Sequence, residues 1–179
     1  MVAELIPIMP IKMKTLVIHP KDITTDFLCR IYADKNWTVI NSDISTRLLK
    51  RSIKIHERII MLGHGTPSGL LGYNKYVIDH SFVSLLRNKK CVFIWCNANW
   101  FVLRFKLKGL YTGMIISELG EAMLHNLPWH GIQESNILFA DTLKVALNEN
   151  NMIEKILTKY KSKTNPIILF NQNNIFEHS

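Results

Sequence analysis

The chain has 179 residues, 47% of them hydrophobic and 20% charged, with a formal net charge of +8 at pH 7. That length suits a single domain built around a sheet of several strands, and the composition excludes a disordered or low-complexity chain. No apolar run approaches the length needed to cross a bilayer, so no membrane partner is expected.

The apolar stretch Met1 to Ile11 is broken by Pro7 and Pro10 and has no basic residue before it. It reads as an extended amino-terminal segment, residues 1–13, rather than a signal peptide. Thr15 to Ile18 is the first expected strand, closing on His19-Pro20, and a short helix is expected over Asp26 to Ala33 after capping signals at Thr24-Thr25. Trp37 to Ile40 is the second strand, ending at Asn41-Ser-Asp43. Thr46 to His56 sets Leu48, Leu49 and Ile53 among Arg47, Lys50, Arg51 and Lys54, the pattern of an amphipathic helix on one face of a sheet.

A third strand, Arg58 to Gly63, leads to His64-Gly65. Leu70 to Val77 reads as a small hairpin, Asp79 caps a helix through Leu86, and Cys91 to Trp95 is the fourth strand, leading to Cys96-Asn97. Trp100 to Lys108 alternates apolar and basic residues and reads either as a strand or as a loop. Helices are expected over Thr112 to His125, Glu134 to Asn148 and Met152 to Lys161, with a closing strand at Pro166 to Phe170. Strands alternating with helices argue for right-handed crossovers, hence an α/β three-layer sandwich with a mostly parallel central sheet and one domain over residues 1–179.

Cys29, Cys91 and Cys96 match no disulfide framework and no zinc spacing. A reducing compartment, the cytoplasm, is the simpler setting, and neither metal nor cofactor is expected. The net positive charge favours an anionic partner, yet the basic residues fall in separate stretches: Arg47 to Arg58, Arg87 to Lys90, and Lys155 to Lys163. No aromatic residues interleave with them as a single-strand binder requires, so solvated faces are the first reading and nucleic acid is a secondary option. The oligomeric state is not legible.

His64 and Cys96 each close a short apolar strand rich in β-branched or aromatic residues. If those strands lie parallel in one sheet, the imidazole and the thiol emerge on one edge, where open α/β sheets place their sites. A histidine beside a cysteine can activate it for attack on carbonyl carbon. Gly65 lacks a Cβ, so its backbone N–H can approach a bound carbonyl, with the Cys96 N–H as a second donor to the oxyanion. The packed alternative is equally concrete: cysteine is among the most buried residue types, and His-Gly after a strand is a common turn. Gly63 to Gly69 as a phosphate-cradling loop lacks the Gly-Lys-Ser/Thr ending.

Ile59-Ile-Met-Leu-Gly-His64-Gly65 and Val92-Phe-Ile-Trp-Cys96-Asn97-Ala98 resemble the histidine and cysteine strands of the caspase-like cysteine peptidases, the clan of clostripain, gingipains, caspases and CHAT-type enzymes. The resemblance covers residues 14 to 125. It implies a caspase-like fold with sheet order 2-1-3-4 and further strands after the nucleophile. It also implies a peptidase acting on a protein or peptide, with Cys96 as nucleophile, His64 as general acid and base, and Gly65 as oxyanion donor. Asp43, Glu118 and Glu121 are candidates for a pocket taking a basic side chain, and His19 for a residue facing the cleft. Trp95 stands where the clan usually carries a small residue, and the caspase Gln-Ala-Cys-x-Gly signature is absent. The alternative on the same fold is a catalytically inactive binding module engaging an acidic protein or nucleic acid through its basic surface.

Overall fold

Every residue of Thr15–Ile18 is buried, and this segment forms strand β1 in the computed structural model, which describes residues 13–147, 152–162 and 164–178. A 3-10 helical segment, Ile23–Ile31, follows, its amino end capped by the Asp22 side chain. Strand β2 (Thr38–Ile40) and helix α1 (Thr46–Ile55) come next, the latter capped by the Ser45 hydroxyl, which accepts the Leu48 N–H. Strand β3 (Arg58–Leu62) is followed by a hairpin unit of β4 (Gly65–Thr66), β5 (Gly69–Gly72) and β6 (Lys75–Ile78). Helix α2 (Val83–Leu86) leads to strand β7 (Lys90–Ile94), helix α3 (Ala98–Arg104) and strand β8 (Gly109–Thr112). Helices α4 (Leu119–Leu124), α5 (Ile132–Ala146), α6 (Met152–Lys159) and α7 (Pro166–Gln172) precede the last strand, β9 (Ile175–His178).

Among the described residues the main sheet has six strands in the order β2-β1-β3-β7-β8-β9, and a separate antiparallel sheet is formed by β4, β5 and β6. The first five strands of the main sheet run parallel and β9 alone runs antiparallel. Side chains alternate across the sheet, so each strand feeds two cores. Leu16, Ile18, Ile59, Met61, Phe93 and Trp95 face a layer formed by α1, α2 and α3. Val17, Ile60, Leu62, Val92, Ile94 and Leu110 face the 3-10 segment, α5, α6 and α7. The result is a three-layer α/β arrangement with a mixed, mostly parallel centre.

Several elements differ from the sequence reading. Pro166 to Phe170, expected as a strand, begins α7: the Asn165 side chain accepts the N–H groups of Ile167 and Ile168, and Pro166 occupies the first turn, where its missing N–H costs nothing. The closing strand falls instead at Ile175–His178. Thr112 to His125, expected as one helix, is split. Its start belongs to β8, and only Leu119–Leu124 is helical. The stretch from Trp100 onward, read as strand or loop, continues α3 as far as Arg104. The cap of the first helical segment is Asp22 rather than Thr24-Thr25. Residues 1–12 of the expected extended segment, and Asn148 at the end of an expected helix, lie outside the described residues.

Candidate active site

Strands β3 and β7 pair in parallel with Leu62 opposite Ile94, and the ladder continues one residue further through the Gly63 N–H, which donates to the Ile94 carbonyl at 3.0 Å. Gly63 then adopts φ +137°, a conformation open to glycine, and the chain turns out of the sheet into His64. On the neighbouring strand the exit is built by Asn97 in the left-handed region (φ 66°), whose N–H donates to the Gly113 carbonyl at 2.9 Å before α3 begins. Asparagine is among the few residues that tolerate this geometry. His64 and Cys96 therefore leave the sheet at its carboxyl edge, and both line one cleft together with Thr25, Phe27, Ile115 and Ser117.

This cleft measures about 20 Å³, room for roughly one water molecule. Cys96 is half-buried in it. Its thiol lies 3.5 Å from the Ile115 carbonyl and 3.4 Å from Glu121 Oε1, both acceptors for the single S–H. Burial pushes its pKa up to about 12, and the negative charges of Glu121 and Glu118 act in the same direction. The resting form is the neutral thiol. At neutral pH the thiolate is far scarcer here than in an ordinary cysteine. Glu121 is fixed from its other oxygen, which accepts the N–H and hydroxyl of Ser117 and the N–H of Glu118 at 2.7, 3.0 and 3.2 Å.

His64 faces two clefts. On the inner side is Cys96. On the outer side is a wider opening of about 240 Å³ lined by Lys21, Asp22, Tyr73, Asn74 and Lys75 among others. Its Nε2 lies 2.6 Å from Thr24 Oγ1 and 3.7 Å from Asp22 Oδ1. Sequence reading missed Asp22 and Thr24 as neighbours of His64, since forty residues separate Thr24 from the histidine; the Asp-x-Thr capping pattern marks their local turn and nothing more.

Trp95 does not cover the thiol. Its indole packs on the opposite face with Phe93 and Phe101 and donates Nε1–H to the Thr66 carbonyl at 3.1 Å, which ties the hairpin after His64 to the strand before Cys96. A Cβ at Gly65 would collide with the indole Cδ1 and Cγ. Packing is therefore one reason for glycine at position 65. The Leu71 N–H donates to the His64 carbonyl, which sets Gly65 opposite Leu70 as a pair whose N–H groups point away from each other. Thr112 was also missed. Its buried hydroxyl lies 2.9 Å from the Trp95 carbonyl and 3.2 Å from the Trp95 nitrogen, holding the backbone next to Cys96.

The remaining candidates, Asp43, Glu118 and His19, do not line the cleft of His64 and Cys96. Asp43 pairs with Lys75 at 2.6 Å and lines a different cleft, between Ile18, Ile40 and Tyr76. Glu118 precedes α4 and acts on Cys96 through its charge. His19, expected to face the cleft, is buried instead: Nδ1 lies 2.9 Å from the Tyr32 hydroxyl and Nε2 3.2 Å from Thr25 Oγ1, and burial lowers its pKa to about 4. A ring enclosed in this way does not face the cleft and reaches it only through Thr25, which lines it. The three cysteines are free thiols, and among the described residues no cluster of histidine, cysteine and carboxylate side chains has the makings of a metal site. No helix among them is long and apolar enough to cross a membrane.

Comparison with protein-family models, with curated proteins and with solved structures returned no match to this chain.

Proposed function

We propose that this chain is a cysteine peptidase in which Cys96 is the nucleophile and His64 the general base and acid. The supporting observation is that both side chains line one cleft at the carboxyl edge of adjacent parallel strands. Because the resting thiol is neutral, its proton leaves as the substrate arrives. His64 takes it while Sγ bonds to the scissile carbonyl carbon and the carbonyl electron pair moves to oxygen. The N–H groups of Gly65 and Cys96 are the donors to that oxygen. Collapse of the adduct breaks the C–N bond, His64 returns the proton to the leaving amine, and water activated by the same imidazole hydrolyses the thioester.

The inner cleft holds little more than a water, so a peptide approaches from the wider outer side of His64 and displaces the contacts around Cys96 as it binds. Incubation with a mixed peptide library, read by mass spectrometry, tests the assignment. Cleavage by the wild type that disappears in Cys96→Ala and His64→Ala supports it; a library left intact by the wild type contradicts it.

One observation favours a second reading, a non-catalytic module. Arg47, Lys50, Arg51 and Lys54 line a single exposed face of α1, a helix with no acidic residue. Binding of an anionic polymer through this face would weaken steeply with added salt, and a flat salt response would reject it.

A further inference from the structure

Thr24 Oγ1 lies 2.6 Å from Asp22 Oδ1 and 2.6 Å from His64 Nε2. A hydroxyl carries one hydrogen, and an ionised carboxylate only accepts. Asp22 is held below the usual carboxylate range by its two bonds from Thr24, one from the hydroxyl and one from the backbone N–H at 2.9 Å. The Thr24 hydrogen therefore goes to Asp22. What Thr24 offers the ring is a lone pair, so the hydrogen between Oγ1 and Nε2 belongs to the histidine. Nδ1 then has none.

We propose that Asp22 and Thr24 are positioning residues that hold neutral His64 as its Nε2–H tautomer, leaving Nδ1 as the proton acceptor for the Cys96 thiol. The catalytic half of this assignment rests on the peptidase reading above; the tautomer does not. Other titratable groups face the ring from both sides, namely Lys21, Tyr73 and Lys75 in the outer cleft and Cys96, backed by Glu121, in the inner one. Thr24 and Asp22 are the groups that approach Nε2 of the His64 ring, at 2.6 and 3.7 Å. When Nδ1 takes the thiol proton, the imidazolium charge forms 3.7 Å from Asp22, which offsets part of the cost of separating charge. The device is local in origin: Asp22 caps the 3-10 segment, and that turn presents the Thr24 hydroxyl to the ring.

The test combines nitrogen-resolved imidazole NMR of the full chain with peptide turnover. With His64 neutral, its ring should show a protonated Nε2 and a bare Nδ1. Thr24→Val should abolish that preference and lower kcat about tenfold with little change in KM, Thr24→Ser should retain both, and Asp22→Asn should lower kcat in the same way. A wild-type ring protonated on Nδ1, or a tautomer indifferent to Thr24→Val, overturns the inference whatever the activity. An Nε2–H ring with undiminished turnover in Thr24→Val overturns the positioning role. An Nε2–H ring in a chain that cleaves no peptide upholds the tautomer and overturns the peptidase reading alone.

Discussion

His64 and Cys96 each stand two residues beyond a register pair, Leu62 and Ile94, on neighbouring parallel strands. Both line a cleft with Thr25, Leu28, Ile94 and Phe139, so both lie on the side occupied by Leu62 and Ile94, the side packed by the 3-10 segment and α5. The intervening residues take the other side or none: Trp95 turns into the opposite core, and position 63 is glycine. The paired strand ends and the turns that follow them bring an imidazole and a thiol into one cleft.

The contact between Trp95 and Gly65 ties that arrangement to stability. Gly65→Ala forces the indole from a fully packed site and should cost about 1–3 kcal/mol, as overpacking does. Adding Trp95→Leu should recover the part of the loss due to the indole while the close approach to the Gly69 carbonyl oxygen remains, so a double-mutant cycle by urea denaturation should give a coupling above about 1 kcal/mol. Additive costs would show that the two positions do not share the space.

Burial comes first and the Glu121 charge next in holding up the pKa of the Cys96 thiol. The Glu121 charge and its acceptance of the S–H both raise the Cys96 pKa, so replacement by Gln, which removes the charge and weakens the acceptor, lowers it while burial still keeps it above that of an ordinary cysteine. Each unit of fall raises the thiolate fraction tenfold at fixed pH. Alkylation of Cys96 by iodoacetamide at pH 8, mapped by peptide mass spectrometry, should be about tenfold faster in Glu121→Gln. An unchanged or slower rate would remove Glu121 from the account.

His19 makes the fold acid-sensitive. The buried ring takes up its proton only near pH 4, whereas an unfolded histidine does so near 6.5. Between these values the unfolded chain binds more protons, so stability rises with pH. The contribution is complete above pH 6.5 and is lost as pH falls toward 4, up to about 3 kcal/mol. Urea midpoints measured at pH 7 and 4.5 should diverge less in His19→Gln than in the wild type. Parallel behaviour of the two chains would assign the acid sensitivity elsewhere.

Thr112→Val keeps the shape of the side chain and removes the hydroxyl that pins the Trp95 backbone. The Trp95 N–H loses its partner in a buried setting, a cost of about 1–3 kcal/mol. Thermal unfolding should register that loss, and no shift in midpoint would mean that the N–H finds another acceptor.

The parts of this molecule legible in the sequence were those written locally. Buried strands read as apolar runs, so β1 is legible with both ends and β3 and β7 to within one residue, β3 closing at Leu62 rather than Gly63 and β7 spanning Lys90–Ile94 rather than Cys91 to Trp95. The helix at Pro166 was missed because Ile-Ile-Leu-Phe has the composition of a strand, while the deciding signal was the Asn165 cap followed by proline. The contacts around the dyad were illegible for another reason. Thr24 with His64, Glu121 with Cys96 and Thr112 with Trp95 join residues 17 to 40 apart, brought together by packing rather than by any local pattern. Trp95, bulky where the clan it resembles carries a small residue, packs its indole into the opposite core with Phe93 and Phe101.

Intact-mass analysis after exposure to a set of peptidyl chloromethyl ketones tests most directly whether Cys96 and His64 form one reactive unit. The account predicts a single adduct on Cys96, formed in the wild type, in Cys29→Ala and in Cys91→Ala, and lost in Cys96→Ala and His64→Ala. Labelling of Cys29 in place of Cys96, or labelling of Cys96 that proceeds equally without the imidazole, would contradict it.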